Sequence, residues 1–399
     1  MNYRSRTKPF LIALSVLAMT LIPITTRADD VVIGAILPMS GTHAAFGHMQ
    51  RNSMLMAADE INSTGGINGE SLVLDIRDSG GQTRNARAVI DHFVKDKQYS
   101  VVLGGFSSSV ASALADKCEQ MRIPLVIVTG SQDAITLQDY RYVFRVSPPR
   151  SRYSLSALEF ARSVFDRAEI VVITERSVYG DAMARMVKLV ARDARWSISG
   201  EWKFDMGSRN MEALYSGATA VQPEVIFLVA FPPDGSKIIE ELKVSIPEAA
   251  IFNLTPASAS TGSYAQCGAS CEGVMNPALW NPEALRSAVR YRDKYRARFE
   301  SEPDYHGAQA YAAVIVAAQA VKRAGLAQPE PVRDALEGIA VNTPYGKVNF
   351  RQWDGFVNQN DPPNYLLQWN GSGFEVVWPE KFRTAEPVLP RQRKDHSTR

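Results

Sequence analysis

The stretch Val102–Val110, "VLGGFSSSV", sets two glycines, an aromatic and three consecutive serines directly behind an apolar run. A phosphate cradle needs a Gly-Lys-Ser/Thr ending, which is absent. A dinucleotide loop needs a third glycine at a fixed offset beyond Gly104 and Gly105. A serine nucleophile at a strand-to-helix elbow needs a G-x-S-x-G frame, and Ser107, Ser108 and Ser109 have none. It also needs a base, and none of His43, His48, His92, His306 and His396 stands just after a predicted strand. What remains is a helix N-terminus, whose first amides are unpaired and carry the positive end of the helix dipole. A carboxylate can accept hydrogen bonds from those amides and from a serine hydroxyl. The competing reading makes Ser107 or Ser108 a simple N-cap.

Other candidates stand at comparable positions. "IPLVIVTGS" ends in Thr129-Gly130-Ser131, two hydroxyls around a glycine that permits close approach. "IVVITERSVYG" puts Tyr179 just before a helix, and "PMSGTHAAFG" does the same for Phe46. Both aromatics could instead be core residues. Asp75 and Asp78 in "LDIRDSGG" read as loop caps and solvated charges rather than as an acid/base pair. Cys267 and Cys271 bracket "CGASC". A disulfide is favoured over a metal site there, because no nearby His or second Cys pair completes a tetrahedral set. Cys118 falls inside a helical pattern and reads as a small buried hydrophobe.

These positions need a scaffold, and the chain alternates short apolar runs with longer amphipathic ones from Val31 onward. "VVIGAIL", "SLVLDIRD", "YSVVLGG" and "IPLVIVTG" are strands, with helices between them. Such uniformly apolar strands belong to parallel sheets covered on both faces. Pro148-Pro149 break the pattern, after which "AEIVVITE", "WSISGEWKFD", "PEVIFLVAF" and "AAIFNLTP" repeat it. The predicted fold class is α/β: two doubly wound units of similar size, followed by two helices and a hairpin turning at Asn370-Gly371. Ligands of such sheets bind beyond the strand C-termini.

The first residues carry Arg4, Arg6 and Lys8, an apolar run from Phe10 to Ile24, and Thr26-Arg27-Ala28. This is the layout of a signal peptide over 1–28, cleaved near Ala28 to release a periplasmic chain. The run is short for a membrane anchor and contains Pro23. Cleavage removes four cations and no acid, turning a net charge of +2 into −2. Nucleic acid is therefore not an expected partner, and no later apolar stretch is long enough for membrane insertion. The basic end, 381–399, reads as a disordered tail.

The segments "IGAILPMSGTHAAFG", "AADEINSTGGINGESLVLDIRDSGG", "VVLGGFSSSVASALA", "IPLV", "VYGDAM", "AYAAVIVAAQAVKRAG", "YGKVNF" and "LLQWNGSGFEVVWP" occur in this order. Together they resemble the leucine-binding-protein-like periplasmic solute-binding proteins that serve branched-chain amino acid ABC importers. The resemblance runs from Val31 to Pro379. It implies a type I periplasmic binding fold, with two lobes joined by three crossover segments and closing on a small-molecule ligand. Lobe 1 is expected over 29–147 plus about 277–345, and lobe 2 over 148–276 plus about 346–380. The implied ligand-binding positions are Phe46, Ser107, Ser108, Thr129, Gly130, Ser131, Tyr179 and Phe231. No catalytic residue, metal or cofactor is implied, and the implied partners are a membrane permease and an ATPase. Amino-acid-binding members carry an acid in a second-lobe loop that here reads "FNLTPASAS", Phe252 to Ser260, without a carboxylate. An unpaired buried ammonium costs on the order of several kcal/mol. The expected ligand thus bears a carboxylate or amide and is amino acid-like or an aromatic acid, with this loop arguing against an ammonium on it. An exported sensor feeding a membrane receptor is the alternative, and a hydrolase using Ser107 or Ser108 is a third.

Overall fold

Near-continuous apolar runs become strands here because helices cover both of their faces. The computed structural model describes residues 30–96, 99–259, 261–264 and 267–390; the expected signal segment 1–28 lies outside them. The first unit runs β1 (Val31–Leu37), α1 (Ala44–Ser63), β2 (Leu72–Asp78), α2 (Thr83–Asp96), β3 (Tyr99–Gly104), α3 (Ser108–Met121), β4 (Leu125–Ile127) and β5 (Val143–Arg145). The second runs α4 (Leu155–Val164), β6 (Glu169–Glu175), α5 (Val178–Ala194), β7 (Ser197–Phe204), α6 (Glu212–Val221), β8 (Val225–Val229), α7 (Asp234–Ser245), β9 (Ala250–Asn253), α8 (Thr261–Tyr264) and β10 (Met275–Ala278). The chain then adds α9 (Arg286–Phe299), α10 (Tyr305–Ala324) and α11 (Pro329–Glu337). Five short strands and a last one follow: β11 (Ala340–Thr343), β12 (Gly346–Asn349), β13 (Arg351–Trp353), β14 (Phe356–Gln359), β15 (Tyr365–Trp369) and β16 (Phe374–Trp378).

Two seven-stranded sheets result, in the orders β13-β14-β5-β4-β3-β1-β2 and β16-β15-β10-β9-β8-β6-β7. Within each, the five strands of the repeated unit are parallel. The order of connection reverses between β1 and β3 in one sheet and between β6 and β8 in the other. Helices diverge there on opposite faces and leave a crevice beyond the strand ends. The chain passes between the sheets three times, after β5, β10 and β14, giving the two-lobed type I periplasmic binding architecture.

The third passage differs from the expected boundary near 345. β13 and β14 belong to the first sheet, where Gln359 pairs in parallel with Arg145, so the crossover lies at 360–364. The strands from Ala340 onward are short and only partly buried, and nothing in their pattern marks a change of sheet. Residues 381–390 also depart from the expected disordered tail. The Thr384 amide donates to the Val376 carbonyl at 2.8 Å, and Gln368 and Val388 exchange two hydrogen bonds of 2.6 and 2.8 Å. Their docking rests on backbone and amide pairing with β15 and β16, which low hydrophobicity does not forbid. Residues 391–399 lie outside the described residues.

Cys267 and Cys271 are joined by a disulfide, while Cys118 is free and buried, its thiol pushed up by desolvation. Asp78 accepts from the amides of Met39, Ser40 and Gly80, and Asp75 pairs with Arg77 and the Tyr99 hydroxyl. Asp78 thereby fixes the loop after β1, onto which the first turn of α1 packs closely. A Cβ on Gly47 would lie 2.0 Å from the Pro38 carbonyl oxygen. Gly47→Ala should destabilise the protein by about 1–3 kcal/mol through overpacking against backbone, read as a lower urea midpoint with an unchanged m-value.

Candidate functional site

The first half of the site is built at the β1/β3 crevice. Ser107 caps α3, its hydroxyl accepting from the Val110 amide at 3.4 Å. The capping reading therefore holds for Ser107. Ser108 plays a different part: its Oγ accepts from the Gln132 amide at 3.2 Å and from Arg150 Nη2 at 3.4 Å. The Ser108 and Ser109 amides lie in the first turn, where no intrahelical acceptor exists. Arg150 follows the double proline of the first crossover, and its own amide donates to the Ser131 carbonyl at 2.7 Å. No acid pairs with its guanidinium among the described residues.

Thr129 is buried, and its Oγ1 accepts from Gln50 Nε2 at 2.5 Å. The other amide atom of Gln50, Oε1, is buried without a partner. Gly130 donates to the Gly105 carbonyl at 2.8 Å, and a Cβ there would lie 2.3 Å from that of Ala111. Glycine lets the 129–132 loop lie against α3. Arg145 holds the loop from the other side, donating to the carbonyls of Gly130 (3.4 Å) and Gln132 (2.7 Å), to Thr136 Oγ1 (2.5 Å) and to Gln359 Oε1 (2.5 Å). Burial lowers its pKa to about 10.

Five rings gather next to this polar edge. Phe46 stacks on Phe106 at 5.3 Å and lies 4.8 Å from His306; Phe106 is 5.3 Å from His306 and 5.1 Å from His43. Tyr305 stacks on His306 at 3.9 Å. His306 Nδ1 is held at 3.0 Å by Asp304, the N-cap of α10.

The second half lies at the β6/β8 crevice. Tyr179, in the first turn of α5, directs its hydroxyl to the Leu254 carbonyl at 2.8 Å and meets Phe231 edge-on at 6.0 Å. Burial pushes its phenol up, as it does those of Tyr153 and Tyr305. The charge of Arg150 opposes the shift at both Tyr153 and Tyr179, while Tyr179 and Tyr153 raise Tyr305. Ser154, four residues beyond Arg150, brings the end of the first crossover to Tyr179, with its Oγ 3.5 Å from the Tyr179 hydroxyl. Glu175, the last residue of β6, is only 3% exposed, and its charge reaches Tyr179.

The structure thus gathers Phe46, Ser108 and the 129–131 loop on one side and Tyr179 with Phe231 on the other. Phe46, Tyr179 and Phe231 are all half-buried rather than enclosed in a core. Arg150, Phe106, Tyr153, Glu175, Tyr305 and His306 join them without having been singled out from sequence. Phe106 stands just after a strand, where the sequence criterion applies, whereas Glu175 is the last residue of β6 and falls just short of it. Tyr305 and His306 arrive on α10 through the second crossover, and no local pattern announces that. Among the described residues no serine hydroxyl is hydrogen-bonded to His306, and no group of three His, Cys, Asp or Glu side chains is placed to hold a metal ion.

Two lobes, each with a crevice beyond its strand ends, are the architecture of a ligand-binding protein rather than of a single-site enzyme core. The family model described as periplasmic binding protein matches residues 30–373, and the chain belongs to that family. Its members here are solute-binding proteins and not enzymes. A leucine-, isoleucine-, valine-, threonine- and alanine-binding protein of Pseudomonas aeruginosa is 26% identical over 86% of this chain and 91% of its own length. The substrate-binding protein of a branched-chain amino acid transporter from Streptococcus pneumoniae, solved with isoleucine, shares the fold with a TM-score of 0.70 at 20% identity, over 88% of this chain and all of its own. A solute-binding protein of R. palustris, solved with benzoate, gives 0.68 at 16% identity, over 90% and 98%.

Burial raises the Asp304 carboxyl, but His306 and the amides of His306 and Gly307 outweigh it and hold the pKa below the usual 3.8. A depressed carboxylate adds stability above its unfolded pKa and loses it as pH falls through its folded one. Asp304→Asn should therefore be less stable than the parent above the ordinary carboxylate pKa of 3.8, with the difference shrinking as the pH falls below it. Melting curves of both proteins across that range check it.

Proposed function

We propose that this protein is the exported, periplasmic binding component of an ABC importer, and that it captures a small carboxylate-bearing ligand with an aromatic or apolar body. One observation carries the ligand reading: the unpaired Arg150 guanidinium touches Ser108 at the open N-terminus of α3, beside five aromatic rings. A carboxylate placed there gains charge-assisted hydrogen bonds from Arg150 and the helix amides. Its flat or branched body lies between Phe46 and Phe106 on one lobe and Tyr179 and Phe231 on the other. Closure of the lobes about the crossovers then removes ligand and rings from water together. The membrane permease and ATPase that receive the ligand are the partners this role requires.

A second reading adds an ammonium to the ligand. Gln50 Oε1 is a buried acceptor without a donor beside Thr129, and Glu175 is a buried carboxylate with no ion pair among the described residues. Either could receive N–H groups, which restores the amino-acid ligand that the loop Phe252–Ser260 argued against. The binding of the P. aeruginosa relative to amino acids supports this reading, and the benzoate complex supports the first.

Ligand-stripped protein should be warmed with leucine, phenylalanine, benzoate and hydroxybenzoates. A true ligand at about 100 times its dissociation constant adds about 2.7 kcal/mol of stability. Stabilisation by benzoate but not phenylalanine selects the first reading, and the reverse selects the second. If no carboxylic acid stabilises the protein, the ligand class is wrong. By calorimetry with the best acid, Arg150→Leu should weaken binding by about tenfold or more, with Ser108→Ala smaller in effect and both ligand-free melting points close to the parent's.

A further inference from the structure

Away from the candidate site, a cavity of about 770 Å³ opens where the start of α9, the strands β11–β13, the third crossover and the segment after β16 meet. Five cations line it, Arg286, Arg290, Lys347, Arg351 and Lys381, against one carboxylate, Asp361. Only Arg351 is paired, with Asp361 at 3.8 Å. The other four have no ion-pair partner among the described residues. The chain as a whole has 44 Lys and Arg against 42 Asp and Glu, so the local excess is not a sample of its composition. Single cations without an ion pair occur elsewhere on the surface, whereas others are paired, as in Lys188 with Glu201 and Lys203 with Asp181; the cavity differs in gathering four unpaired ones around one concave space.

Like charges converging on one concave space repel each other, and the low-dielectric walls concentrate their field. Arg286 adds to this as the first residue of α9, where no acid stands in the opening turn to offset it. The cavity falls in the size range of small-molecule sites. Its lining also joins parts that belong to different lobes: Arg286 to Arg351 come from the first, and Lys381 from the segment docked on the second sheet.

We propose that this cavity binds a small multivalent oxyanion, a polyphosphate or a polycarboxylate, which bridges Lys381 to Arg290 and Lys347 and so ties the second lobe's C-terminal segment to the first lobe. None of the residues assigned to the ligand cleft takes part.

The test uses the mature full-length chain, with pyrophosphate and citrate as probes, titrated calorimetrically at low salt. At least one probe should bind, more weakly as salt rises. The double variant Arg290→Glu, Lys347→Glu should lose about tenfold or more in affinity, while Lys188→Glu on the second lobe should match the parent. Should the reversals disturb folding, Arg290→Gln with Lys347→Gln serves in their place. Amide hydrogen exchange of the segment from Glu380 to Val388 should slow when the probe is bound. Binding by pyrophosphate alone or citrate alone identifies the oxyanion class. The proposal is overturned if neither probe binds or if the variants bind as well as the parent, and its bridging part is overturned if the segment is not protected.

Discussion

Arg145 is wholly buried, and its guanidinium is met by the neutral oxygens of Gly130, Gln132, Thr136 and Gln359 rather than by a carboxylate. Removing such a cation from water costs on the order of several kcal/mol. A pKa of about 10 still leaves it charged at neutral pH, so each of those hydrogen bonds must be kept. The constraint spreads outward from there. Gln132, fixed through its carbonyl, donates its amide to Ser108, and Gly130 is fixed against α3. The polar edge of the cleft inherits its geometry from one buried charge at the end of β5.

The same charge binds two of the three crossovers to each other. Gln359, which accepts from Arg145, donates to the carbonyls of Ser147 and Asn360, and Asn360 donates to Val146. Further along, Asn364 donates to the Tyr153 carbonyl at 3.1 Å and accepts from Ser156 at 2.7 Å. The first and third crossovers therefore form one laced ribbon. The second is held separately, by the Trp280 indole donating to the Pro344 carbonyl at 2.8 Å. With the ribbon cross-linked and each lobe built on its own seven-stranded sheet, the proposed closure has only a few backbone torsions in the crossovers to act through.

Much of this was legible in the sequence because the physics is local. A strand buried on both faces must be apolar throughout, so "VVIGAIL" and "VIFLV" declared themselves, and the double proline declared the first crossover. The post-strand criterion reached Ser107, Ser108, the 129–131 loop and Tyr179, since the crevice geometry follows from strand order alone. It did not reach Arg150, Tyr305 or His306, which belong to crossovers and to a helix that returns from the other lobe. Nor did it place β13 and β14, because the parallel pairing of Gln359 with Arg145 depends on a residue more than two hundred positions away. Contacts of that separation leave no periodicity to read.

The two halves of the cleft differ in what they have left to give a ligand. On the second lobe the Tyr179 hydroxyl is already committed to the Leu254 carbonyl, so that residue presents its ring and not a donor. On the first, Arg150 and the opening amides of α3 remain without a negative partner. On the proposed reading, a carboxylate bound in the open state gains most of its polar contacts from the first lobe alone. Closure then adds mainly the burial of rings, a contribution that scales with the apolar area of the ligand's body. On the proposed reading, the anchor decides which end of the ligand enters first, and the body decides how firmly the lobes shut. A ligand with the carboxylate but too small a body would bind the first lobe without driving closure, which separates recognition from delivery within a single cleft.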